Sequence, residues 1–476
     1  MLNNLNKRHI GLLLFFVIAS CLLLYSIIHY HKTRYYPKEL KEGFTIKHPI
    51  YADNNATTPM FSESVKTMQW AIQNFYANPS SIHALGVMAR RLLEEQRKEM
   101  AHLLNCEAEE IIFTSGATEA NNAIVHHILS SAFFGKPGQS EKEEEEKGKT
   151  YESVDSFYGK KYNIITTPIE HASISEVLAA YDKHPKDKVQ IRVVDVDEKG
   201  YIDFEKYKKL MDKNTLMACI IMGNNEIGTL QDVGRLTTLH RERGVHLHLD
   251  MTQIIGRYAV DLNALNVDSA TMSAHKFHGP KGVGCLYLSK QSPSVLNGYE
   301  YVPFLRGGHQ EGGQRGGTEN LPGICGMVTS LRICDARLKQ HKDREVKKLR
   351  DELHRIIKEK IPDVIIHGDP DKGLYNTLSF SVPINSRHLV KKLDGYGIYV
   401  GTGCACASGG ASAVLTALKM DEKAINGSVR VSFGFLNRPK EAEFIGQTIA
   451  HLVTFEKNEK NEKNGEKDEG EVCPYS

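Results

Sequence analysis

The chain carries almost no excess of either charge: 60 Lys and Arg stand against 58 Asp and Glu in 476 residues, a formal net charge of +2. With no basic stripe and no aromatic platform either, direct nucleic-acid binding is excluded as a reading. There is no internal repeat, which sets solenoid architectures aside. The nine cysteines lack the spacing of a small secreted domain, so a disulfide framework is not expected. Cys404 and Cys406 make a Cys-x-Cys pair without a second ligand pair, which is poor zinc spacing, and no metal site is expected. What is present is 41% apolar residues, ample for a core, in a length that suits one large folded unit rather than several independent domains.

Three segments ask for one chemistry. Lys276 lies in Ser273-Ala274-His275-Lys276-Phe277-His278-Gly279-Pro280-Lys281-Gly282, where small, polar and glycine neighbours suit an imine with pyridoxal 5'-phosphate. A solvated lysine on a surface turn is the plain alternative. Such a cofactor needs an acid that keeps its pyridine nitrogen protonated. Asp250 closes Gly244-Val245-His246-Leu247-His248-Leu249-Asp250, whose alternation predicts a buried strand, and ligands of parallel sheets gather at strand carboxyl ends. A helix cap is the alternative there. The pleat predicts Asp250 and Thr252 on one face and Met251 on the other, with Gln253 able to reach a ring hydroxyl. A phosphate needs a cradle, and Phe113-Thr114-Ser115-Gly116-Ala117-Thr118-Glu119-Ala120-Asn121-Asn122 reads as strand end, glycine turn and helix start, where free backbone N–H groups bind anions. The alternative is an ordinary helix capped by Thr118.

Taken with further motifs in order, the chain resembles cysteine desulfurases of the NifS and IscS type, within the class V aminotransferases. The likeness runs from Tyr51-Ala52-Asp53-Asn54-Asn55-Ala56-Thr57-Thr58 through Asn78-Pro79-Ser80-Ser81-Ile82-His83, the phosphate turn, Glu170-His171-Ala172-Ser173, Asn224-Asn225-Glu226-Ile227-Gly228 and Asp250 to Gln253. It continues through the lysine segment to Ser428-Val429-Arg430-Val431-Ser432-Phe433-Gly434. It implies an α/β protein of pyridoxal phosphate fold-type I: a large domain with a doubly wound, mostly parallel sheet, and a smaller α+β C-terminal domain. Position by position, the resemblance makes His171 the imidazole stacked on the cofactor and an acid/base. Asn225 and Gln253 become contacts of the ring hydroxyl region, Asn225 also meeting substrate. Ala117, Thr118, Ser273 and His275 become phosphate ligands. Thr318, in Arg315-Gly316-Gly317-Thr318-Glu319-Asn320, would reach the phosphate of a partner subunit, which implies a homodimer. Arg430 is the expected clamp for the substrate α-carboxylate, a task suited to a planar two-pronged guanidinium. Each has a plainer alternative: a core histidine, a structural ion pair, a helix cap.

Desulfuration also needs a protein thiolate. Cys406, in Val400-Gly401-Thr402-Gly403-Cys404-Ala405-Cys406-Ala407-Ser408-Gly409-Gly410, is the expected nucleophile, set among small residues that suit an exposed loop. The family pattern aligns Cys406 with its nucleophile and Cys404 with a serine. The segment after Cys406 is shorter than the pattern and lacks its Glu-Pro pair. The expected reaction converts L-cysteine to L-alanine and leaves a persulfide on Cys406 for a sulfur-acceptor protein, as in iron-sulfur cluster assembly or tRNA thiolation. The alternatives are a selenocysteine lyase or other class V pyridoxal phosphate enzyme, and a catalytically silent membrane scaffold.

The expected organisation is a basic segment 1–9, a transmembrane helix 10–28, a linker 29–49, a cofactor-binding domain 50–325 with a charged insertion 135–161, a small domain 326–455 with a cysteine loop 400–412, and an unstructured tail 456–476. As a helix, 10–28 spans about 28 Å, enough for a bilayer core. A cleaved signal peptide is its main rival. Lys7 and Arg8 before it and Lys32, Arg34 and Lys38 after it favour a catalytic domain facing the cytosol, with an organelle such as the mitochondrion as the alternative. Strands are expected at 163–167, 189–194, 217–222, 247–250 and 283–288, and one long charged amphipathic helix from Ser330 to Lys360.

Overall fold

The computed structural model describes residues 49–134, 162–182, 189–293, 301–403 and 411–468. The expected transmembrane helix, the charged insertion, and Cys404 and Cys406 lie outside them. Among the described residues, no helix is long and apolar enough to cross a membrane.

Period-two alternation builds the main sheet. Its strands are β2 (Ile111–Thr114), β3 (Tyr162–Thr166), β4 (Val189–Val193), β5 (Thr215–Ile221), β6 (His246–Asp250), β7 (Ser269–Ser273) and β8 (Gly284–Leu288), in spatial order β2-β8-β7-β6-β5-β3-β4. Only β8 runs against its neighbours, so the other six share one direction. Successive side chains point to opposite faces. Leu247, Leu249, Ala218, Ile220, Ala270, Met272 and Cys285 join one buried cluster, with helices Ala84–Leu104 and Leu321–Lys339. Met217, Cys219, Leu286 and Ile112 join a second, with helices Ala117–Phe134 and Ala172–Asp182. Helices on both faces make the layered doubly wound arrangement that the alternation of strand and helix signals implied.

A second, antiparallel sheet has the order β12-β13-β10-β9: β9 (Ile365–Ile366), β10 (Thr377–Ser381), β12 (Gly401–Thr402) and β13 (Ser428–Ser432). The opening strand β1 (Ile50–Tyr51) pairs in parallel with β11 (Ile398–Tyr399), so the start of the described chain packs with this later part. Its core is a separate cluster that includes Leu353, Phe380, Leu389, Val429, Phe433 and Ile449.

Two expected features differ. The single helix from Ser330 to Lys360 is two helices, Leu321–Lys339 and Lys342–Lys360, because His341 takes φ 59°, in the left-handed region, and breaks the repeat. The first is largely buried and the second is the charged amphipathic one. The last helix, Glu441–Asp468, also runs past the expected boundary at Glu456. Its earlier turns are fixed by packing through Ile445, Ile449 and Val453, and adding residues to an established helix avoids the nucleation cost.

Candidate active site

Six parallel strands in one sheet bring their carboxyl ends to one edge, and the segments singled out in the sequence follow those ends. Ser115 to Glu119 follow β2, His171 follows β3, Asn225 follows β5, Asp250 closes β6, and Ser273 to Lys276 follow from β7. Together they line a cavity of about 540 Å³ with Ala56, Thr57, Ile221, Thr252, Gln253, Lys281 and Gly282. Ala117, Thr118, His171, Asn225, Asp250, Gln253, Ser273, His275 and Lys276 are therefore brought together. Thr318 is exposed and does not line the cavity; Arg430 is buried beside it; Cys406 is outside the described residues.

The turn after β2 depends on two glycines. Gly116 takes φ +155°, and a Cβ on Gly284, where β8 begins, would come within 2.6 Å of the Gly116 Cα. The following helix starts at Ala117, so Thr118 sits inside its first turn rather than capping it. The first N–H groups of that turn are the unpaired ones of any helix start. Glu119 accepts from Ser115 N at 2.8 Å and pairs with Arg315 through both oxygens, at 2.8 and 3.1 Å.

Asp250 is buried on the β6 face opposite Leu249, and Met251 joins the core away from the cavity, as the pleat requires. Its carboxylate accepts from Thr252 N at 3.0 Å and from Asn121 Nδ2 at 3.1 Å. Neither donor is charged. A buried carboxylate held only by neutral donors at a cavity wall is costly unless a cation completes it.

Lys276 Nζ donates to Asn55 O at 2.6 Å and Ala56 O at 3.1 Å. Burial, then Arg257 and Arg430, push the amine down to about 7, against the pull of Asp250 and Asp53. A lysine there is neutral in a sizeable fraction near pH 7, far more than an ordinary lysine, and the neutral form is the one that attacks a carbonyl. Arg257 is buried behind Gln253: its Nη2 donates to Asn54 O at 3.1 Å and its Nη1 to Gln253 O at 3.0 Å and to Gln253 Oε1. Gln253 Nε2 in turn donates to Asn55 O at 3.0 Å. With Oε1 claimed by Arg257 and one amide hydrogen by Asn55, the other amide hydrogen of Gln253 is what the cavity meets.

Arg430 in β13 donates through Nη1 to Asn225 O at 3.0 Å and through Nη2 to Asp53 Oδ1 at 2.6 Å, while Nε is buried with no partner among the described residues. The guanidinium is thus both a structural ion pair and a group with a donor to spare.

These groups fit pyridoxal phosphate. Among the described residues no cation pairs with Asp250 where a protonated pyridine would supply one, Lys276 offers its amine, the helix start offers N–H groups to a phosphate, and Thr252 Oγ1 in the same wall is a buried hydroxyl with no partner. Sequence reasoning singled out the titrating groups and missed their supports: Asp53, Asn121, Ser173 and Arg257. Asn121 and Ser173 stand inside quoted motifs. Their position four residues after Ala117 and two after His171 was the signal available.

The family Aminotransferase class-V matches residues 50–140 and 150–445. The cysteine desulfurase IscS of Dictyoglomus turgidum is 31% identical over 411 residues, 86% of this chain and 95% of that protein. The cysteine desulfurase IscS of Methanosarcina thermophila is 32% identical over 407 residues, 85% of this chain and 92% of that one. Among solved structures, a NifS-like protein superposes with a TM-score of 0.73 at 32% identity, covering 86% of this chain and 100% of its own. Another, from Rickettsia africae, gives 0.70 at 26% identity, with 86% and 100% covered. Sequence, sheet order and cavity agree: the chain belongs to the class V aminotransferases and groups there with the cysteine desulfurases.

Proposed function

We propose that this chain is a pyridoxal phosphate-dependent cysteine desulfurase that converts L-cysteine to L-alanine and stores the sulfur as a persulfide on Cys406. The observation that carries the reading is one cavity wall holding the buried amine of Lys276 and the buried carboxylate of Asp250, which among the described residues is held by neutral donors. Bound pyridoxal phosphate supplies an electron sink for charge at the substrate Cα. Asp250 keeps the ring nitrogen protonated, Ala117, Thr118, Ser273 and His275 hold the phosphate, Asn225 and Gln253 address the ring hydroxyl, and His171 covers the ring. Arg430 receives the substrate carboxylate, and Lys276 carries the cofactor and takes the Cα proton. The Cys406 thiolate then attacks the substrate sulfur; the new S–S bond forms as the C–S bond breaks, and the three-carbon fragment takes up one proton at Cβ and regains one at Cα to leave as alanine.

Both flanks of the cysteine segment support this role. Gly401 pairs with Arg430 in the β12–β13 ladder, and Ser412 donates to Glu226, next to Asn225, at 2.5 Å. Cys406 is three residues from Gly403, a reach of roughly 10 Å. Incubating cofactor-loaded protein with cysteine, measuring alanine and mapping the persulfide by mass spectrometry tests the assignment. Alanine and sulfide release undiminished in Cys406→Ala would overturn the role of that thiol.

A homodimer completes the reading, with Thr318 reaching the partner's phosphate. Support comes from an exposed apolar run: Tyr76 is 75% and Ile82 95% accessible, with Ile72, Leu85 and Met88 also exposed. Ile82→Asp is expected to shift sedimentation from dimer to monomer. Residues 10–28 are read as a membrane anchor with the catalytic part facing the cytosol, the side where persulfide transfer finds reduced thiols. Protease protection of the catalytic part inside sealed secretory vesicles would refute that topology.

A further inference from the structure

His171 lines the cavity, and its Nδ1 faces two groups of one residue: Ser173 N at 3.1 Å and Ser173 Oγ at 2.8 Å. A backbone N–H can only donate. Nδ1 must therefore be the unprotonated nitrogen, and the hydrogen of the neutral ring belongs on Nε2, the nitrogen left for the cavity. A doubly protonated ring would turn its Nδ1 hydrogen against the Ser173 N–H.

The serine hydroxyl is directed by Asn121, a residue with no accessible surface at all. Asn121 Nδ2 lies 3.1 Å from Asp250 Oδ2 and 2.8 Å from Ser173 Oγ, while its Oδ1 lies 2.9 Å from His248 Nε2. An ionised carboxylate only accepts, so the amide nitrogen faces Asp250 and its second hydrogen goes to Ser173 Oγ. The hydroxyl, having accepted there, spends its own hydrogen on His171 Nδ1. One carboxylate and one backbone N–H thus set the polarity of the whole chain from Asp250 through Asn121 and Ser173 to His171. The charged neighbours that share the cavity with His171 are Asp250, Lys276, Lys281 and Glu119, the last tied to Arg315.

We propose that Asn121 and Ser173 are positioning residues that hold His171 in one neutral tautomer, hydrogen on Nε2, so that the ring meets a bound cofactor or substrate as a hydrogen-bond donor. Burial also holds its pKa below the ordinary histidine value. The kinetic side of this rests on the desulfurase reading; the tautomer does not.

The decisive measurement is long-range proton–nitrogen NMR of the histidine side chains in cofactor-free protein, with His171 assigned by its loss in His171→Gln. The expected spectrum at neutral pH shows His171 with an unprotonated Nδ1 and a protonated Nε2. A hydrogen on Nδ1, or a cationic ring, overturns the proposal whatever the enzyme does with cysteine. Asn121→Ala should cost His171 its single-tautomer signal, or at least weaken it, while the folded-state spectrum elsewhere persists. In cofactor-loaded protein, His171→Gln, which keeps an N–H donor, should retain several-fold more alanine formation than His171→Ala. Equal loss in the two variants would contradict a donor role. Absence of alanine formation in wild type would reject the desulfurase reading and leave the NMR result standing.

Discussion

Replacing Lys276 by methionine should make the cofactor-free protein less dependent on pH, and the size of the effect follows from the cavity. Methionine keeps an unbranched chain of similar length and removes the charge. An ordinary lysine titrates at 10.5, whereas Lys276 is pushed down to about 7 by burial first and then by Arg257 and Arg430. Between those values the unfolded chain holds a proton that the folded chain has released, so wild type gains stability as pH rises through this window. Below about 7 both states are charged and the full cost of burying the cation remains. A pKa unit corresponds to about 1.36 kcal/mol, which puts a ceiling of ~5 kcal/mol on that cost. From about pH 7 to about pH 9 the expected gain of wild type over Lys276→Met is roughly 2 kcal/mol. The carbonyls of Asn55 and Ala56 lose a donor in the variant, but they lose it equally at every pH, so the comparison across pH removes that contribution. Urea unfolding of both cofactor-free proteins at the two pH values measures the difference. A wild-type-to-variant gap that does not change with pH would show that Lys276 titrates as an ordinary lysine, and the electrostatic account of the cavity would fail.

Asp250→Asn keeps the shape of the side chain and removes the charge facing the ring nitrogen; alanine formation should fall by at least ~100-fold with cofactor still bound, read from product assays beside the cofactor absorbance. Arg430→Lys loses the planar fork and the second contact it allows, so KM for cysteine should rise roughly 10- to 100-fold with a smaller change in kcat. Glu311→Gln neutralises a buried pair in which both carboxylate oxygens lie 2.7 Å from Arg97, leaving that cation only the half-exposed Glu94 at 3.3 Å. Unfolding in urea should then reveal a loss of about 3 kcal/mol or more.

Much of the fold was readable because its signals are local. The run ending in Asp250 alternates in a way only a buried strand satisfies, and the phosphate turn announces itself through Gly116 between a strand and a helix. The helix break at His341 was not readable, since a histidine in the left-handed region carries no composition signal and the charged pattern continues on both sides of it. The supports of the cavity were hidden for a different reason. Asn121 meets Asp250 across 129 residues and Arg430 meets Asp53 across 377, so neither partner says anything about the other until the chain is folded.

The order of motifs by itself determined the family and the cofactor, because those need particular side-chain chemistry in a particular order, and it singled out Lys276 and Asp250 as the candidate amine and acid. Tertiary structure alone decided the state of those groups. Burial beside Arg257 and Arg430 makes Lys276 a near-neutral amine, and the donors around Asp250 and His171 determine which atoms are left with a hydrogen to give. Proton affinity and hydrogen-bond polarity depend on what surrounds a group in space, and a linear order of residues does not contain that.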